Sequence, residues 1–298
     1  MQEVIGTLGE DEIREDSLIA HGVLYDEVPL KNDDVDLEEI EKAIDETVTM
    51  VLIQRSKGYS TRKSLTLETI GEICRIVKKK NPDCICFVDN CYGEFVEDKE
   101  PLEVGADIIA GSLIKNPGGG IVEAGGYIAG KARLVERAAN RLTAPGIGSE
   151  GGAMFNQHRL MFQGLFMAPS VVSEAVKGAV LAAKIFDEIG YNSTPKYNEK
   201  RTDIIQNITF GSPEPLEQFC RTIQSLSPVN GYVTPIPEYI PGYEDQVIMA
   251  GGTFIEGSTI ELSADGPMRA PYVAYMQGGL NYAHVKIALT KILDKVRK

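Results

Sequence analysis

The chain has 298 residues, of which 43% are hydrophobic and 24% are charged, so it is long enough to form a large core and two domains. Its formal net charge of −13 argues against a nucleic acid or an anionic membrane as a partner, because no basic patch is left to neutralise phosphate. The apolar stretch from Leu160 to Val172 is too short to span a bilayer. We therefore expect neither nucleic acid nor a membrane as a partner.

The cysteines indicate the compartment. There are five of them, an odd number without the spacing of a disulfide framework. They form no Cys-x-x-Cys pair and have no histidine nearby, so we expect no metal site. No signal peptide precedes them, and the sequence therefore predicts a protein of the reducing cytoplasm. The five are Cys74, Cys84, Cys86, Cys91 and Cys220.

Apolar and amphipathic stretches alternate along the first half of the chain. Residues 22–30 are predicted to form a strand, and residues 36–44 a short helix whose first-turn acids the helix dipole favours. A β-branched run at 48–54 predicts a buried parallel strand. A helix is predicted over 66–80, with Thr66 as its N-cap. Three further strands are predicted, over 85–89, 107–112 and 125–130.

This alternation predicts the fold class. Strands followed by helices imply right-handed crossovers and an α/β fold with a mostly parallel wound sheet, covered on both faces. After an apolar helix over about 157–191, the pattern changes to α+β. We therefore predict a partial large domain over 1–159, and a connecting helix with a smaller α+β domain over 160–298. The elements predicted in this smaller domain lie at 204–210, 214–226, 246–249, 259–262 and 282–296.

Four polar side chains follow two neighbouring strands of the predicted sheet. Asp89 ends one strand, with Tyr92 three residues later, and Ser112 and Lys115 come at the end of the next, before a triple glycine. Such an aspartate usually caps a helix, and such a lysine is usually a solvated surface charge. Because ligands of open α/β sheets bind outside the carboxyl ends of the strands, we expect the four side chains to gather in one site.

The polar loop 55–64 carries a second set of charges. Its three cations are Arg55, Lys57 and Arg62. Charged loops are usually solvated, but this loop follows a strand and would face the same carboxyl edge of the sheet. Both interpretations stay open from the sequence alone.

Taken together, these motifs resemble a known family. Asp-x-x-Tyr followed by Ser-x-x-Lys resembles the aspartate-aminotransferase-like superfamily of pyridoxal-phosphate (PLP) enzymes. Four segments in the same order narrow the resemblance to the bacterial carbon-sulfur lyases known as methionine gamma-lyase-like or aluminium-resistance proteins. The resemblance covers essentially the whole chain. The segments are QRSKGYS at 54–60, DNCYGEF at 89–95, GSLIKNPGGG at 111–120 and SADGPMR at 263–269.

The resemblance implies PLP as cofactor and gives four residues a role in holding it. Lys115 would bond covalently to the cofactor aldehyde and later move the substrate α-proton, and burial is expected to lower the pKa of its amine. Asp89 would pair with the pyridinium nitrogen, and Tyr92 would donate to the ring oxygen. Ser112 would contribute to holding the phosphate. Lys115 and Tyr92 are thus the expected catalytic residues.

The resemblance also implies a sulfur-containing amino acid as substrate and a homodimer or homotetramer as assembly. Arg269 is expected to bind the substrate carboxylate through both prongs of its guanidinium, with a surface ion pair as the alternative. Arg55 is the second residue expected to bind substrate. Nothing in the spacing itself indicates sulfur chemistry, so an aminotransferase or a carbon-carbon lyase on the same scaffold is the alternative enzyme.

One part of the family pattern has no counterpart in residues 1–45. In the enzymes that the chain resembles, the main phosphate-binding loop and a ring-stacking residue come from a segment that would precede Met1. We therefore expect a family member lacking roughly its first third, with weak cofactor binding because no helix N-terminus takes the phosphate. A truncated, non-catalytic homologue is the alternative to an enzyme.

Overall fold

The computed structural model describes residues 2–6, 15–144, 146–151, 154–255 and 257–296. The helices within these residues are α1 (Gln2–Ile5), α2 (Leu37–Ala43), α3 (Leu67–Lys80), α4 (Ala132–Leu142), α5 (Gln157–Glu188), α6 (Pro213–Ser225) and α7 (Tyr282–Val296). The strands are β1 (Met50–Gln54), β2 (Ile85–Asp89), β3 (Ile108–Ser112), β4 (Gly126–Gly130), β5 (Asn192–Thr194), β6 (Gln206–Thr209), β7 (Val247–Ala250), β8 (Ser263–Pro267) and β9 (Val273–Gln277).

The first sheet has the order β1-β2-β3-β4, with β1, β2 and β3 parallel and β4 antiparallel to β3. Helix α3 covers it because Ile70, Cys74 and Val77 lie on one side of the helix and pack with Cys86 and Val88 of β2. The Thr66 side chain caps α3 by accepting from the Thr69 amide, as the sequence predicts. The α/β class with a mostly parallel sheet is therefore confirmed.

The second sheet is antiparallel, with the order β5-β6-β9-β8-β7. Helices α5, α6 and α7 bury its apolar face. At the centre of this core, the rings of Phe186, Phe210 and Phe219 lie 5.4 to 5.8 Å apart, the two contacts of Phe186 being edge-on. This is the smaller α+β part that the sequence predicts, whereas a domain boundary at residue 160 stays a prediction.

Helix α5 continues through Pro169 without a break over 32 residues. By length and composition alone it could cross a membrane, a criterion that the core helix of a soluble protein also meets. Its residues Val172, Ala175, Ala179 and Phe186 are buried in the protein. The absence of a membrane partner stays a prediction.

Two predicted strands are wrong. Residues 22–30 are extended but pair with no strand among the described residues, and Leu24 is 97% exposed. A segment becomes a strand only where a neighbouring strand takes its hydrogen bonds. Residues 259–262 are buried but irregular, because the Ile260 amide donates to the Ile114 carbonyl rather than to a sheet ladder. The strand of this region is β8, which begins at Ser263.

Candidate functional site

The three parallel strands β1, β2 and β3 end at one edge of the first sheet, and this edge faces the second sheet. Asp89 is the last residue of β2 and Ser112 the last of β3. Ladder-type hydrogen bonds continue one residue further, from the Arg55 amide to the Asp89 carbonyl at 3.1 Å and from the Asn90 amide to the Ala110 carbonyl at 2.9 Å. The chain segments that follow the strands therefore leave the sheet side by side.

Lys115 and Tyr92 meet at this edge. The Lys115 amine lies 4.1 Å from the centre of the Tyr92 ring, where an ammonium is attracted to the aromatic face. Tyr92 has a φ of +72°, a backbone conformation that costs a residue with a side chain about 1–3 kcal/mol. The Tyr92 carbonyl accepts from the Asn116 side chain at 3.1 Å and from the Ile204 amide at 3.2 Å, and these contacts hold the strained residue in place.

The electrostatics of Lys115 correct one expectation. Burial acts to lower the pKa of Lys115, but Tyr92, Cys91 and Asp89 act in the opposite direction and raise it above its ordinary value. The prediction of a lowered pKa for this amine is therefore wrong, because it considered desolvation without the acidic neighbours, whose combined effect is larger. The amine of the free protein carries a proton at neutral pH.

Asp89 and Ser112 make local hydrogen bonds. The Asp89 carboxylate accepts from the Cys91 amide at 3.1 Å, a turn contact of the kind that aspartates at strand ends usually make. It also acts electrostatically on Lys115, so these two side chains belong to one site. The Ser112 hydroxyl accepts a long hydrogen bond from the Ile114 amide at 3.4 Å. The cofactor roles of Asp89 and Ser112 stay predictions.

The loop 55–64 is packed rather than solvated. Arg55 is completely buried, and its guanidinium donates to Asn90 at 2.7 Å and pairs with Glu97 at 3.0 Å. Lys57 is 3% exposed, and burial lowers its pKa. Arg62 donates to the backbone carbonyls of Gln54 and Lys63. The solvated interpretation of this loop is therefore wrong, while a substrate contact by Arg55 stays a prediction that its buried ion pairs do not favour.

Arg269 forms the surface ion pair that the sequence offered as the alternative. Its guanidinium is about half exposed and lies 2.8 Å from Asp245. Its second terminal nitrogen, Nη2, donates to the Tyr59 carbonyl at 3.0 Å. This hydrogen bond connects the end of β8 to the loop 55–64. Binding of a substrate carboxylate by Arg269 stays a prediction.

Sequence reasoning missed a buried acid at the site, Asp265. It lies at the centre of β8, is 3% exposed, and accepts from the Ser258 hydroxyl at 3.1 Å. Its other carboxylate oxygen is buried without a partner. Burial raises the pKa of Asp265 to about 7, against the effects of Ser258, Tyr59 and Lys115, which lower it. The available signal was a single acid among small residues in the SADGPMR segment.

A second buried acid, Glu94, lies behind the first sheet's edge. Its carboxylate accepts from the Tyr127 hydroxyl at 2.9 Å, and its other oxygen has no partner. Burial raises the pKa of Glu94 to about 8. Raised acids of this kind cluster at functional sites more often than elsewhere, which marks the whole edge as a candidate site.

The fold is that of PLP-dependent transferases. The chain superposes on yeast cystathionine gamma-lyase with a TM-score of 0.55 at 17% identity, over 86% of this chain and 67% of the yeast chain, which shows the fold alone.

A family model described as methionine gamma-lyase matches residues 1–297, and the chain belongs to that family. It is 50% identical over 297 residues to the uncharacterised protein YnbB of Bacillus subtilis (strain 168), covering 99% of this chain and 70% of YnbB. A candidate cystathionine beta-lyase involved in aluminium resistance from Clostridium acetobutylicum is 49% identical, with a TM-score of 0.94 over 100% of this chain and 69% of that one. A carbon-sulfur lyase involved in aluminium resistance from Clostridium novyi NT is also 49% identical, with a TM-score of 0.91 over 99% of this chain and 69% of that one. The resemblance drawn from the four motifs is confirmed.

Proposed function

We propose that the protein is a PLP-dependent carbon-sulfur lyase that acts on a sulfur-containing amino acid. The observation that carries this proposal is the position of the Lys115 amine, 4.1 Å from the Tyr92 ring centre at the carboxyl edge of a parallel sheet, where the charge of Asp89 also acts on it. Membership of the methionine gamma-lyase family supports it. The names of the relatives from the two Clostridium species support the sulfur chemistry.

The donor set of the site fits PLP. An amine, a carboxylate and a phenol converge, and these are the groups that the aldehyde, the ring nitrogen and the ring oxygen of PLP require. Lys115 would hold the aldehyde, Asp89 the ring nitrogen and Tyr92 the ring oxygen. Ser112 would contribute to holding the phosphate. When bound, the cofactor supplies an electron sink for the negative charge that develops at the substrate α-carbon.

The chain's own residues then have two tasks, orientation and proton transfer. Tyr92 is held rigidly by contacts from Asn116 and Ile204, so its ring keeps the Lys115 amine in one place. Because the pKa of Lys115 is raised, its nitrogen must release a proton before it can remove one from a substrate. Arg269 is the proposed contact for the substrate carboxylate, and it would have to release Asp245 to make it.

Replacing Lys115 by alanine tests the proposal. We expect the wild-type chain with added PLP to release ammonia, a 2-keto acid and a thiol from a sulfur amino acid such as cystathionine. Lys115→Ala should lower turnover by about 10²–10⁴-fold, the usual contribution of an acid/base group, and should remove the absorbance of bound cofactor. The matched control is Lys291→Ala on an exposed face of α7, which should leave both unchanged.

Three results would count against the proposal. Turnover that survives in Lys115→Ala would remove the lysine from the chemistry. Amino-group transfer without thiol release would favour an aminotransferase, and an unchanged absorbance on addition of PLP would favour a non-catalytic homologue.

We also propose that the protein forms a homodimer or homotetramer, as the family resemblance implies. The N-terminal half of α5 presents Phe162 and Phe166 to solvent, with exposed fractions of 71% and 87%. Adjacent exposed aromatic side chains on a helix are typical of an interface. Light scattering on the purified chain measures the mass of the assembly, and a monomer at micromolar concentration would contradict this proposal.

A further inference from the structure

One face of the second sheet carries polar side chains. Neighbouring residues of a strand point to opposite faces. Ala264 of β8 and Met276 of β9 lie opposite each other in the ladder, and both pack in the core with the helices. The residues next to them therefore point to the other face. Three of these are polar, Ser263 and Asp265 of β8 and Gln277 of β9, and Ser263 lies directly opposite Gln277.

These three side chains, which we call the polar trio, are buried but lack hydrogen-bond partners. Ser263 is 1% exposed, Asp265 3% and Gln277 4%. The Ser263 hydroxyl, one carboxylate oxygen of Asp265 and the Gln277 side-chain nitrogen have no partner among the described residues. Because an unpaired buried donor or acceptor destabilises a folded chain, three such atoms on one face of a sheet indicate that a ligand completes their hydrogen bonds.

Backbone hydrogen bonds place one end of the polar trio beside Lys115. Gly279, two residues after Gln277, donates its amide to the Ile260 carbonyl at 2.8 Å. The Ile260 amide donates in turn to the carbonyl of Ile114 at 3.2 Å, and Ile114 is the neighbour of Lys115. The end of β9 is thus connected to the turn that carries the lysine.

Aromatic rings connect the other end of the polar trio to the same lysine. Tyr275 lies directly opposite Asp265 in the ladder, and its ring centre is 5.1 Å from that of Tyr59. Tyr59 and Tyr92 both pack against the small apolar cluster that contains Tyr275. The Lys115 amine lies over the Tyr92 ring. The polar trio and the Lys115 amine therefore belong to one region between the two sheets.

The unpaired atoms of the polar trio match the head group of an α-amino acid. A carboxylate oxygen accepts from an ammonium, whereas a hydroxyl and an amide nitrogen donate to a carboxylate. In the proposed lyase, the amino group at the reacting carbon lies at Lys115 and is not free to pair with Asp265. We propose that the polar trio binds a second head group, at the end of the substrate that does not react.

This assignment names the class of substrate. An amino acid with a head group at each end of a sulfur-containing chain, such as cystathionine, would reach both Lys115 and the polar trio, whereas methionine has only one head group. The inference rests on the proposed function for the reacting end of the substrate. Binding of a head group by the polar trio requires no turnover, so it can be measured on the full chain without added PLP.

Ligand-observed NMR measures this binding. The probes are L-methionine and two analogues, methylthiobutanoate without the ammonium and methylthiopropylamine without the carboxylate. The measurement is made at about pH 8, because burial raises the pKa of Asp265 to about 7 and the carboxylate must be ionised. We expect the wild type to bind methionine about tenfold more tightly than either analogue, since a hydrogen bond to a charged group contributes about a factor of ten.

Two variants should affect different halves of the head group. Asp265→Asn should weaken binding of methionine and of the amine about tenfold, without weakening binding of the acid. Ser263→Ala should weaken binding of methionine and of the acid and leave the amine unchanged. Gln163→Leu, at an exposed position on α5, is the matched control for Gln277→Leu and should change no affinity. Equal effects of Asp265→Asn and Ser263→Ala on both analogues, or no effect on methionine, would overturn the proposal.

Thermal stability separates a ligand site from a structural role. Gln277→Leu removes an unpaired buried amide group, so the chain without ligand should melt about 2 °C or more above the wild type while its affinity for methionine falls. A lower melting temperature would show that the amide has a structural partner, such as an ordered water, and would overturn the proposal. Should Gln277→Leu fail to fold, Ser263→Ala decides by the same comparison, because it removes a single oxygen.

Turnover distinguishes failure of this inference from failure of the proposed function. With added PLP, kcat/KM of the wild type should be about tenfold or more higher for cystathionine than for methionine, and Gln277→Leu should remove most of this difference. Turnover with a preference that Gln277→Leu does not change would overturn the second head group while the lyase stands. Absence of turnover together with the expected binding pattern would refute the lyase and support the head-group site.

Discussion

Replacing Arg55 by methionine separates a structural role of this residue from a role in substrate binding. The Arg55 guanidinium is completely buried and has three partners. It lies 3.0 Å from Glu97, 2.7 Å from Asn90 and 3.6 Å from Glu100. Methionine keeps the apolar stem of the side chain and removes the positive charge, so the buried Glu97 and the partly exposed Glu100 lose their cation.

The cost follows from the neighbours that remain. Removing one partner of a buried ion pair costs about 3–5 kcal/mol, because the other charge loses its compensation. Two contacts reduce the loss here. Lys200 also pairs with Glu97 at 2.7 Å, and Glu100 still accepts from the side chain of Asn90 at 2.9 Å. We therefore expect the lower end of the range, about 3 kcal/mol in the free energy of unfolding.

Urea unfolding followed by circular dichroism measures this loss. With a slope of about 3 kcal/mol per molar for a chain of this size, the midpoint should fall by about 1 M. Arg159→Met, an exposed arginine on α5, is the matched control and should change the free energy of unfolding by no more than about 0.5 kcal/mol. If Arg55→Met unfolds at the wild-type midpoint and instead raises KM, the substrate role expected from the sequence is right and the structural argument is refuted.

Two further substitutions test the electrostatics of the site. The pKa of Glu94 is raised from 4.5 to about 8, so between these values the folded chain binds more protons than the unfolded chain, and wild-type stability falls as the pH rises through this window. Glu94→Gln should therefore gain stability over the wild type between pH 5 and pH 8, by up to about 4 kcal/mol, and a difference in melting that does not vary with pH would contradict this. Arg269→Lys should raise KM by about tenfold if Arg269 binds the substrate carboxylate with both prongs, yet should cost at most about 1 kcal/mol of stability because its pair with Asp245 is half exposed. An unchanged KM would leave Arg269 as a surface ion pair only.

Local patterns predicted the elements that local interactions determine. The cap at Thr66 and the apolar side of α3 are set within one helix, and both appear in the structure as predicted. Two short apolar runs predicted β2 and β3. The rule that ligands of open α/β sheets bind outside the carboxyl ends of the strands then predicted where the site lies. The strand predicted at residues 22–30 does not form. Strand formation depends on a neighbouring strand, and the residues of the segment itself do not show whether one is present.

The missed parts of the site depend on contacts between distant residues. The burial of Arg55 requires Glu97, 42 positions along the chain, and the hydrogen bond from Ser64 to Asp203 spans 139 positions. The effect of Tyr92 on Lys115 likewise reverses the pKa shift that burial alone would produce. No pattern within a window of one helix or one strand contains this information.

The geometry around Lys115 further implies that the site forms only when the two sheets are packed together. The strained backbone of Tyr92 is held from the first sheet by Asn116 and from the second part of the chain by the Ile204 amide. The turn before Lys115 accepts from the Ile260 amide at 3.2 Å, next to the segment that carries Ser258 and Asp265. A positive φ at a tyrosine persists only where several surrounding contacts hold it. Loss of the contact from Asn116 or from the Ile204 amide would therefore free the Tyr92 ring, over which the Lys115 amine lies. The proton affinity of Lys115 is thus a property of the packed interface, and a substitution in the second sheet can change the chemistry of a lysine on the first.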